Sequence, residues 1–264
     1  MEYNMSRITE IIRGCGEIML SAHTVDDEKD AIEIKAGAAN FVTKYDKGVQ
    51  NKLISELTAE FSNACFFAEE KENSLDILNS ELLFVIDPID GTTNFIHDMK
   101  CSAISVGAFS FGKPVFGIVY DPYKKEMFTA EKGKGAFCNG KPIHVSNRTL
   151  DVALVAFGTV PYERDTYADR IFEEVKRVFM KCVDIRRSGS AALDICSVAC
   201  GRNDAFFEDK LSYWDFAAGS VILTEAGGRC STTYGEELVS SGTSSFLCTN
   251  NTVHEDIVKL IKGE

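Results

Sequence analysis

The sequence has little of what several classes of protein require. It contains four histidines and no Cys-x-x-Cys spacing among its nine cysteines, which argues against a zinc site. No window approaches eighteen consecutive apolar residues, so the sequence predicts no membrane-spanning helix. Basic residues are also scarce, because 28 Lys and Arg stand against 40 Asp and Glu, a formal net charge of -12. This charge and the lack of a basic stripe argue against a nucleic-acid partner.

The composition is otherwise that of an ordinary globular protein. With 264 residues, of which 45% are hydrophobic and 26% charged, the chain can bury a sizeable core as one large domain or two lobes. Residues 1–20 carry charges throughout and lack an uninterrupted apolar core, so we expect no signal peptide. Cys15, Cys65, Cys196 and Cys200 fall in apolar surroundings, and we expect reduced core cysteines in a cytoplasmic protein.

The most informative stretch, residues 83–97, begins with an apolar run and then turns acidic. The apolar run shows no alternation, which predicts a strand buried on both faces. Asp87 stands where this run ends, and Pro88 removes a ladder donor, so we expect the strand to stop here. Asp90 and Gly91 follow, and a glycine lets the backbone approach a ligand closely.

Thr92, Thr93 and Asn94 come next, and such residues favour helix starts. Two acids beside a helix start suggest a divalent cation bound next to a phosphate. The alternative is a plain turn, because Asp, Pro and Gly each favour turns for their own reasons. The position of the acids favours the ligand site, since open α/β sheets bind ligands at the carboxyl ends of their strands.

Three further acids lie beside expected elements. Glu69 follows a short apolar run, and Asp46 and Asp215 stand near the starts of expected helices. Each has an ordinary alternative role. Glu69 and Glu70 would make a solvated surface pair, Asp46 would be an N-cap, and Asp215 would be a first-turn acid favoured by the helix dipole.

Hydrophobic periodicity predicts the elements of the first half of the chain. We expect a helix over residues 4–22, a short strand at 32–35 and a mobile loop of small residues at 36–40. A second helix should follow, then an antiparallel meander over residues 102–130. Residues 131–148 are rich in Gly, Lys and Asn, which predicts an irregular hairpin region.

The second half alternates strands and helices. We expect a strand at 152–157, a helix over 163–181 and a strand over 204–208 that ends at Glu208. A small-residue turn at 189–192 enters another helix, and it offers backbone N–H groups to a polar ligand or serves close packing. This order of elements suggests two lobes that share a cleft.

Several of these motifs occur in a fixed order along essentially the whole chain. They are Thr43-x-x-Asp46, Glu69-Glu70, Asp87-Pro-Ile-Asp90-Gly-Thr92-Thr-Asn, Gly189-Ser-Ala-Ala, Glu208 and Trp214-Asp215-Phe-Ala-Ala-Gly. Together they resemble the inositol monophosphatase family of magnesium-dependent, lithium-sensitive phosphatases. The resemblance implies a mixed α/β (α+β) fold, a layered αβαβα sandwich of the inositol monophosphatase and fructose-1,6-bisphosphatase type. It also implies a single domain over residues 1–264, with possible sub-lobes 1–148 for metal and phosphate and 149–264 for substrate recognition.

The resemblance implies a magnesium centre made of oxygen ligands, which Mg²⁺ prefers. The implied metal ligands are Glu69, Asp87, the carbonyl oxygen of Ile89, Asp90 and Asp215. Asp90 and Asp215 would share the second of two or three Mg²⁺ ions, and Li⁺ is an expected inhibitor. Thr92, Asp46 and Glu69 are implied to activate the attacking water.

The resemblance also assigns substrate contacts. Asp90, Gly91 and Thr92 would lie at the phosphate, and the positions that match the alcohol pocket are Gly189, Ser190, Ala191, Glu208 and Thr159. Lys35 matches a lysine of a mobile loop. The implied substrate is a small phosphate monoester, myo-inositol 1-phosphate or a similar polyol phosphate, and the implied assembly is a homodimer with no membrane or nucleic-acid partner.

Three positions depart from the family pattern, among them Ser212, where animal inositol phosphatases tend to carry His, and Lys210 is close to Ser212. Ala68 stands where Gly is usual, Lys71 replaces a common Ser, and Ser212 and Lys210 lie near the expected alcohol pocket. None removes a metal ligand, but the last two bear on the substrate. Fructose 1,6-bisphosphate, histidinol phosphate and 3′-phosphoadenosine phosphates are therefore alternative substrates. A catalytically idle, metal-binding regulatory or assembly protein is the rival from another class.

Overall fold

The computed structural model describes residues 3–22, 32–34 and 41–264. The helices in these ranges are α1 (Met5–Leu20), α2 (Lys44–Glu60), α3 (Thr92–Ile96), α4 (Arg164–Phe179), α5 (Ala191–Ala199), α6 (Tyr213–Glu225) and α7 (His254–Lys262). The strands are β1 (Ile32–Ile34), β2 (Phe41–Thr43), β3 (Cys65–Ala68), β4 (Leu83–Asp90), β5 (Ala103–Ser110), β6 (Lys113–Asp121), β7 (Glu126–Glu131), β8 (Gly135–Cys138), β9 (Lys141–Ile143), β10 (Leu154–Phe157), β11 (Asp184–Arg186), β12 (Ala205–Ser212), β13 (Arg229–Ser231) and β14 (Thr243–Thr249).

Two large sheets carry the fold. The first has seven strands in the order β3-β4-β5-β6-β7-β8-β9, and its β5-to-β9 part is an antiparallel meander. The second has five strands in the order β11-β10-β12-β14-β13, with parallel pairs around β10 and antiparallel pairs around β14. Strands β1 and β2 form a separate antiparallel pair.

Helices cover both faces of each large sheet. α1 and α2 pack on one face of the seven-stranded sheet, where Ile11 and Leu53 meet Phe84. α5 and α6 lie between the two sheets, and α4 and α7 cover the outer face of the five-stranded sheet. The layers thus alternate helix, sheet, helix, sheet, helix. This order confirms the predicted layered αβαβα sandwich. Each sheet is apolar on both faces and must therefore be covered by helices on both sides.

The central helix α6 comes unusually close to the seven-stranded sheet. Gly107 of β5 and Gly117 of β6 face each other in the ladder, and both lie directly beneath the α6 backbone. A Cβ built on Gly117 would lie 2.3 Å from the carbonyl oxygen of Ala218. The two glycines therefore allow the helix backbone, rather than its side chains, to rest on the sheet.

Strand β4 shows that the expected stop at Pro88 is wrong. The strand continues to Asp90, and its ladder with β5 pairs Asp87 with Ser105 and then Asp90 with Ala103. Between these two pairs β4 advances by three residues and β5 by only two, so β4 carries one extra residue, which is a β-bulge. A bulge accommodates Pro88 because a residue there has no ladder bond to donate.

Strand β12 likewise passes its expected end. It runs on from Glu208 to Ser212, with a second irregularity in which Glu208 pairs with Phe246 and Leu211 with Ser244. In the region expected to be irregular, β8 and β9 form a regular hairpin. The helices predicted over 4–22 and 163–181 are present as α1 and α4.

Other expectations stand as follows. All nine cysteines are free thiols, with Cys15 and Cys196 buried and Cys65 and Cys200 half-buried.

In the parts of the chain that the structure describes, no helix has the length and apolar character needed to cross a membrane. The expected mobile loop at 36–40 and Lys35 lie outside the described residues. The sub-lobes 1–148 and 149–264 stay a prediction.

We expect Gly117→Ala to destabilise the fold, because the new methyl group would collide with the α6 backbone. Overpacking of this kind costs about 1–3 kcal/mol of unfolding free energy. Urea denaturation monitored by circular dichroism measures it. Gly48→Ala is the matched control, since a Cβ on this α2 residue meets nothing within 4 Å. It should stabilise the protein by roughly 0.5–1 kcal/mol, and equal losses for both variants would contradict the packing argument.

Candidate active site

A pocket lies where the ends of β3 and β4 meet the starts of α5 and α6. Eleven of the sequence-predicted site residues line it: Glu69, Asp87, Ile89, Asp90, Gly91, Thr92, Gly189, Ser190, Ala191, Glu208 and Asp215. Thr159 also lines it. These residues come from positions about 150 apart in the sequence, and the fold brings them to one cavity. What each does there stays a prediction.

Asp46 lies behind the pocket wall and is fully buried. It is not the N-cap of α2, because Thr43 caps the helix and Asp46 occupies the third position of a capping box. Its Oδ2 accepts hydrogen bonds from the Thr43 backbone N–H at 2.7 Å and hydroxyl at 2.5 Å. Its other oxygen, Oδ1, lies 3.2 Å from the hydroxyl of Thr92. Asp46 thus reaches the pocket through Thr92.

Asp215 has the same local arrangement at the start of α6. Ser212 caps this helix, and Asp215 Oδ2 accepts a hydrogen bond from the Ser212 backbone N–H at 2.7 Å. The cap fixes the carboxylate at the rim of the pocket, where it lies with Glu69 and Asp87. Ser212 is thus a helix cap, and it does not line the cavity.

Asp90 faces the start of α5. Its Oδ2 accepts hydrogen bonds from the Ser190 hydroxyl and, at 2.9 Å, from the Ala192 backbone N–H, while Oδ1 accepts one from Ala191 at 3.2 Å. These bonds join the β4 bulge to the small-residue turn. A carboxylate has about four acceptor sites, so Asp90 keeps capacity for a further ligand on Oδ1.

Two glycines let the segment at Gly91 and the small-residue turn at Gly189 approach each other closely. Gly91 has φ +88° and Gly189 φ +87°, values that glycine adopts without strain. A Cβ on Gly91 would lie 3.1 Å from the Gly189 carbonyl oxygen. Asn94 connects the same two segments, because its Nδ2 donates to Cys101 O at 2.7 Å and Ser188 O at 2.9 Å.

Glu208 enters the cavity from the opposite wall, beside Gly158. A Cβ on Gly158 would lie 1.9 Å from Glu208 Oε2, so only glycine leaves room for this carboxylate. Burial raises the pKa of Glu208 well above its usual range, and Asp215 raises it further. In its protonated form Glu208 can donate as well as accept a hydrogen bond.

Thr93 and Asn94 of the predicted helix start also line the cavity. Sequence reasoning did not identify several further lining residues: Gly158, Pro161, Tyr162, Arg187, Asp194 and Leu211. Arg187 donates to the Thr159 hydroxyl, at 3.1 Å from Nη2. Asp194 is buried and accepts a 2.7 Å bond from the Ser188 hydroxyl; burial raises its pKa to about 7. The only sequence signal for Arg187 and Asp194 was their proximity to the small-residue turn at 189–192. Lys210, expected nearby, lines the cavity and pairs with Glu163.

The acids at the strand ends repel one another. The pKa of Asp87 is raised well above its usual range, first by burial and then by the charges of Glu69, Asp90, Asp215 and Asp46. Burial also raises the pKa of Asp90 to about 6, although the bonds from Ser190, Ala192 and Ala191 oppose the shift. A cation among these groups would remove the repulsion.

The donor chemistry of this pocket fits a hard divalent cation. Its carboxylates and the backbone carbonyl groups at the end of β4 offer only oxygen ligands, as Mg²⁺ requires. The Ile89 carbonyl lies in the bulge, where it meets the Thr92 hydroxyl at 3.1 Å. Among the described residues, no three His, Cys, Asp or Glu side chains are already grouped as in a formed metal centre. Binding would therefore have to draw the carboxylates together.

The five alternating layers and the acidic pocket at the strand ends are the arrangement expected of a phosphatase of the layered α/β class. Within it, the chain belongs to the inositol monophosphatase family, because residues 4–263 match the model of that family. Most of the chain also has curated relatives. It is 40% identical over 201 residues to Nus factor SuhB of Escherichia coli (strain K12), covering 75% of this chain and 74% of that protein.

Further comparisons agree with this family. Inositol monophosphatase 2 of Solanum lycopersicum is 39% identical over 197 residues, 73% of this chain and 74% of the relative. The structure of an IMPase from Thermotoga maritima has a TM-score of 0.86 and 31% identity, covering 98% of this chain and 96% of that one. A staphylococcal inositol monophosphatase-1, solved as a LiCl-soaked inhibitory complex, has a TM-score of 0.83 and 26% identity, over 97% and 91% of the two chains.

We expect Mg²⁺ to raise the melting temperature of the protein, and more at pH 8 than at pH 5. In the fold the pKa of Asp87 is raised well above its usual range, and the pKa of Asp90 is raised to about 6. Without metal, stability should therefore fall as the pH rises through these values. At low pH, protons compete with the cation.

Differential scanning fluorimetry with EDTA or MgCl₂ at both pH values measures this effect. A gain of roughly 2–4 °C is expected for each kcal/mol of stabilisation by binding. Asp98→Asn, which changes an exposed acid outside the pocket, should keep the gain. The same gain at both pH values would contradict a site made of these carboxylates.

Proposed function

We propose that the protein is a Mg²⁺-dependent phosphomonoesterase that hydrolyses myo-inositol 1-phosphate or a similar polyol phosphate to the alcohol and inorganic phosphate. The observation that carries the proposal is the single pocket that collects Glu69, Asp87, Asp90 and Asp215 beside Gly91 and Thr92. Its acids would repel an anionic substrate unless cations occupied the site first. Membership of the inositol monophosphatase family supports the same chemistry.

We further propose that Glu69, Asp87, Asp90, Asp215 and the Ile89 carbonyl hold two or three Mg²⁺ ions. When bound, Mg²⁺ would supply charge for the phosphate and leaving oxygens and would lower the pKa of an attacking water. Lithium inhibition belongs to the proposal, and the LiCl-soaked staphylococcal relative supports it. Homodimer formation, cytoplasmic location and the absence of nucleic-acid and membrane partners are proposals of the same kind.

The protein's own groups would orient the water and the substrate. Thr92 Oγ lies 3.2 Å from buried Asp46 Oδ1, so a hydroxyl that donates its proton to Asp46 presents its lone pairs to a water in the pocket. The first N–H groups of α3 have no partner within that helix and would face the phosphate. Glu208, Ser190 and Ala191 line the same pocket and would contact the alcohol.

The substrate is tested by phosphate release from a panel with and without Mg²⁺. The panel holds myo-inositol 1-phosphate, fructose 1,6-bisphosphate, histidinol phosphate and a 3′-phosphoadenosine phosphate. We expect Mg²⁺-dependent turnover with the highest kcat/KM on inositol 1-phosphate. Highest activity on fructose 1,6-bisphosphate or another member would keep the mechanism and replace the substrate. Inactivity on the whole panel would overturn the enzyme assignment.

A regulatory protein without catalysis is the second candidate, and the name Nus factor of the Escherichia coli relative favours it. The pocket argues for catalysis, because all five implied metal ligands and Thr92 line it. Turnover with Mg²⁺ would not exclude an additional regulatory role. Its absence in folded, Mg²⁺-binding protein would make the regulatory role the better proposal.

We expect Asp90→Asn to lower kcat by at least about 100-fold, as loss of a preorganised electrostatic contact does. The charge that two cations would share is removed, while the amide oxygen can still accept from Ser190 and Ala192. Steady-state kinetics with a circular dichroism check of the fold measures this. Asp98→Asn should keep kcat. Near-normal turnover by a folded Asp90→Asn protein would contradict the metal assignment.

A further inference from the structure

The bulged segment of β12 forms part of the wall of the pocket. Glu208 and Leu211 pair with Phe246 and Ser244 of β14, so Asp209 and Lys210 share one opposing residue. This segment therefore lacks the regular ladder that fixes the rest of the strand. It nevertheless carries Glu208 and Lys210, both of which line the pocket. Some other contact must hold it.

Asp209 lies between these two residues and faces the opposite side of the sheet. Successive residues of a strand point to opposite faces. Phe207, two residues earlier, packs in the cluster formed with α4 and α7, and Asp209 itself bonds to a side chain of α4. Asp209 is only 7% exposed. A buried carboxylate on that apolar face is costly unless it is paired.

Its partner on α4 is Arg170. Nε and Nη2 of Arg170 lie 2.9 Å and 2.7 Å from the same oxygen, Asp209 Oδ2. Arg170 is itself held over the ring of Tyr167, 5.0 Å from its centroid. Glu174, one turn along α4, lies 3.8 Å from Arg170 through Oε1 and is only 2% exposed. One guanidinium therefore serves two buried carboxyl groups.

The two carboxyl groups each keep a buried oxygen without a hydrogen-bond partner among the described residues, Asp209 Oδ1 and Glu174 Oε2. Two buried acceptors left this way cost free energy. A proton on Glu174, donated to Asp209, would satisfy both. The pKa of Glu174 is raised to about 7, first by burial and then by the charge of Asp209, while the charges of Arg170 and Arg177 oppose the shift.

The remaining charged groups do not supply an alternative partner. Arg177 of α4 donates to the carbonyl oxygens of Leu260 and Ile261 in α7, both at 2.6 Å. Tyr234, on the segment after β13, acts on Arg170 through its charge only when deprotonated. Within the described residues, Arg170 is thus the one close cation of Glu174 and Asp209. A single proton shared between these two carboxyl groups would satisfy their remaining oxygens.

We propose that Arg170, Glu174 and Asp209 are positioning residues of the active site: protonated Glu174 donates to Asp209, and Arg170 and Glu174 together fix the β12 bulge so that Glu208 and Lys210 face the substrate. This inference rests on the proposed phosphatase function, because substrate affinity is what the three residues would set. The reaction itself would proceed elsewhere in the pocket.

The bond should weaken as the pH rises. The pKa of Glu174 is raised in the fold from the ordinary value of 4.5 to about 7. Its contribution to stability is therefore fully present below about 4.5 and lost as the pH rises through about 7. KM for the best substrate should rise over the same pH interval. The pH dependence of kcat should instead be set by the predicted metal-binding carboxylates.

The test compares wild type with Glu174→Gln, Glu174→Ala and the control Glu173→Gln. Glu173 neighbours Glu174 in α4 but is 62% exposed and pairs with Lys176. KM and kcat are measured from pH 5.5 to 9 at saturating Mg²⁺. Loss of one such hydrogen bond should raise the KM of wild type and Glu173→Gln roughly three- to tenfold above pH 7.

The two Glu174 variants should separate positioning from a merely structural role. Glu174→Gln, whose amide donates to Asp209 at every pH, should keep the low KM from pH 5.5 to 9 and should not show the increase of KM above pH 7 that is expected for the wild type. Glu174→Ala should have the high KM throughout. Melting temperatures should show the same pattern, with the wild type losing stability above pH 7 relative to Glu174→Gln.

The outcomes also separate this inference from the proposed function. An active wild type whose KM has the same pH dependence as that of Glu174→Gln would overturn the positioning role and leave the phosphatase assignment intact. Inactivity of wild type and Glu173→Gln on every phosphomonoester would overturn both. If Glu174→Ala does not fold, the comparison of Glu174→Gln with wild type alone decides.

Discussion

Repulsion among carboxylates in a buried pocket is the constraint on which this structure depends. Asp87 and Asp90 are almost fully buried beside Glu69 and Asp215, and every one of these groups opposes the ionisation of Asp87. Local contacts orient these acids against the repulsion. The β4 bulge, the α6 cap and the bonds from α5 to Asp90 each orient at least one of them. The architecture is therefore organised to keep negative charge where a cation can use it.

Two of the acids are held by the same local device. Thr43 with Asp46 and Ser212 with Asp215 are capping boxes at the starts of α2 and α6. In each box one carboxylate oxygen accepts from the backbone N–H of the capping residue, and in Asp46 the other oxygen lies beside the Thr92 hydroxyl. The ordinary interpretation of these acids and the predicted functional one, which the sequence alone leaves as alternatives, are thus compatible.

Sequence reasoning was most successful where chemistry and local structure coincide. The acids at strand ends and the small-residue turn at Gly189 were found because Asp, Gly and Pro have strong local preferences, and the layered fold followed from the family resemblance. The strand end at Pro88 was wrong because a bulge tolerates proline, and a bulge depends on the neighbouring strand. The pairing of Asp209 with Arg170 joins residues 39 apart, across a sheet and a helix. No local pattern predicts such a contact.

The two bulges also set how the chain can vary in length. Each inserts one residue opposite its neighbouring strand, in the β4 segment before Asp90 and in the β12 segment before Leu211. Removal of that residue would restore a regular ladder and turn every following side chain to the other face of the sheet. Asp90 or Leu211 would then leave the pocket. These segments should therefore tolerate exchanges of side chain far better than any insertion or deletion, so that chain length here is fixed more strictly than composition.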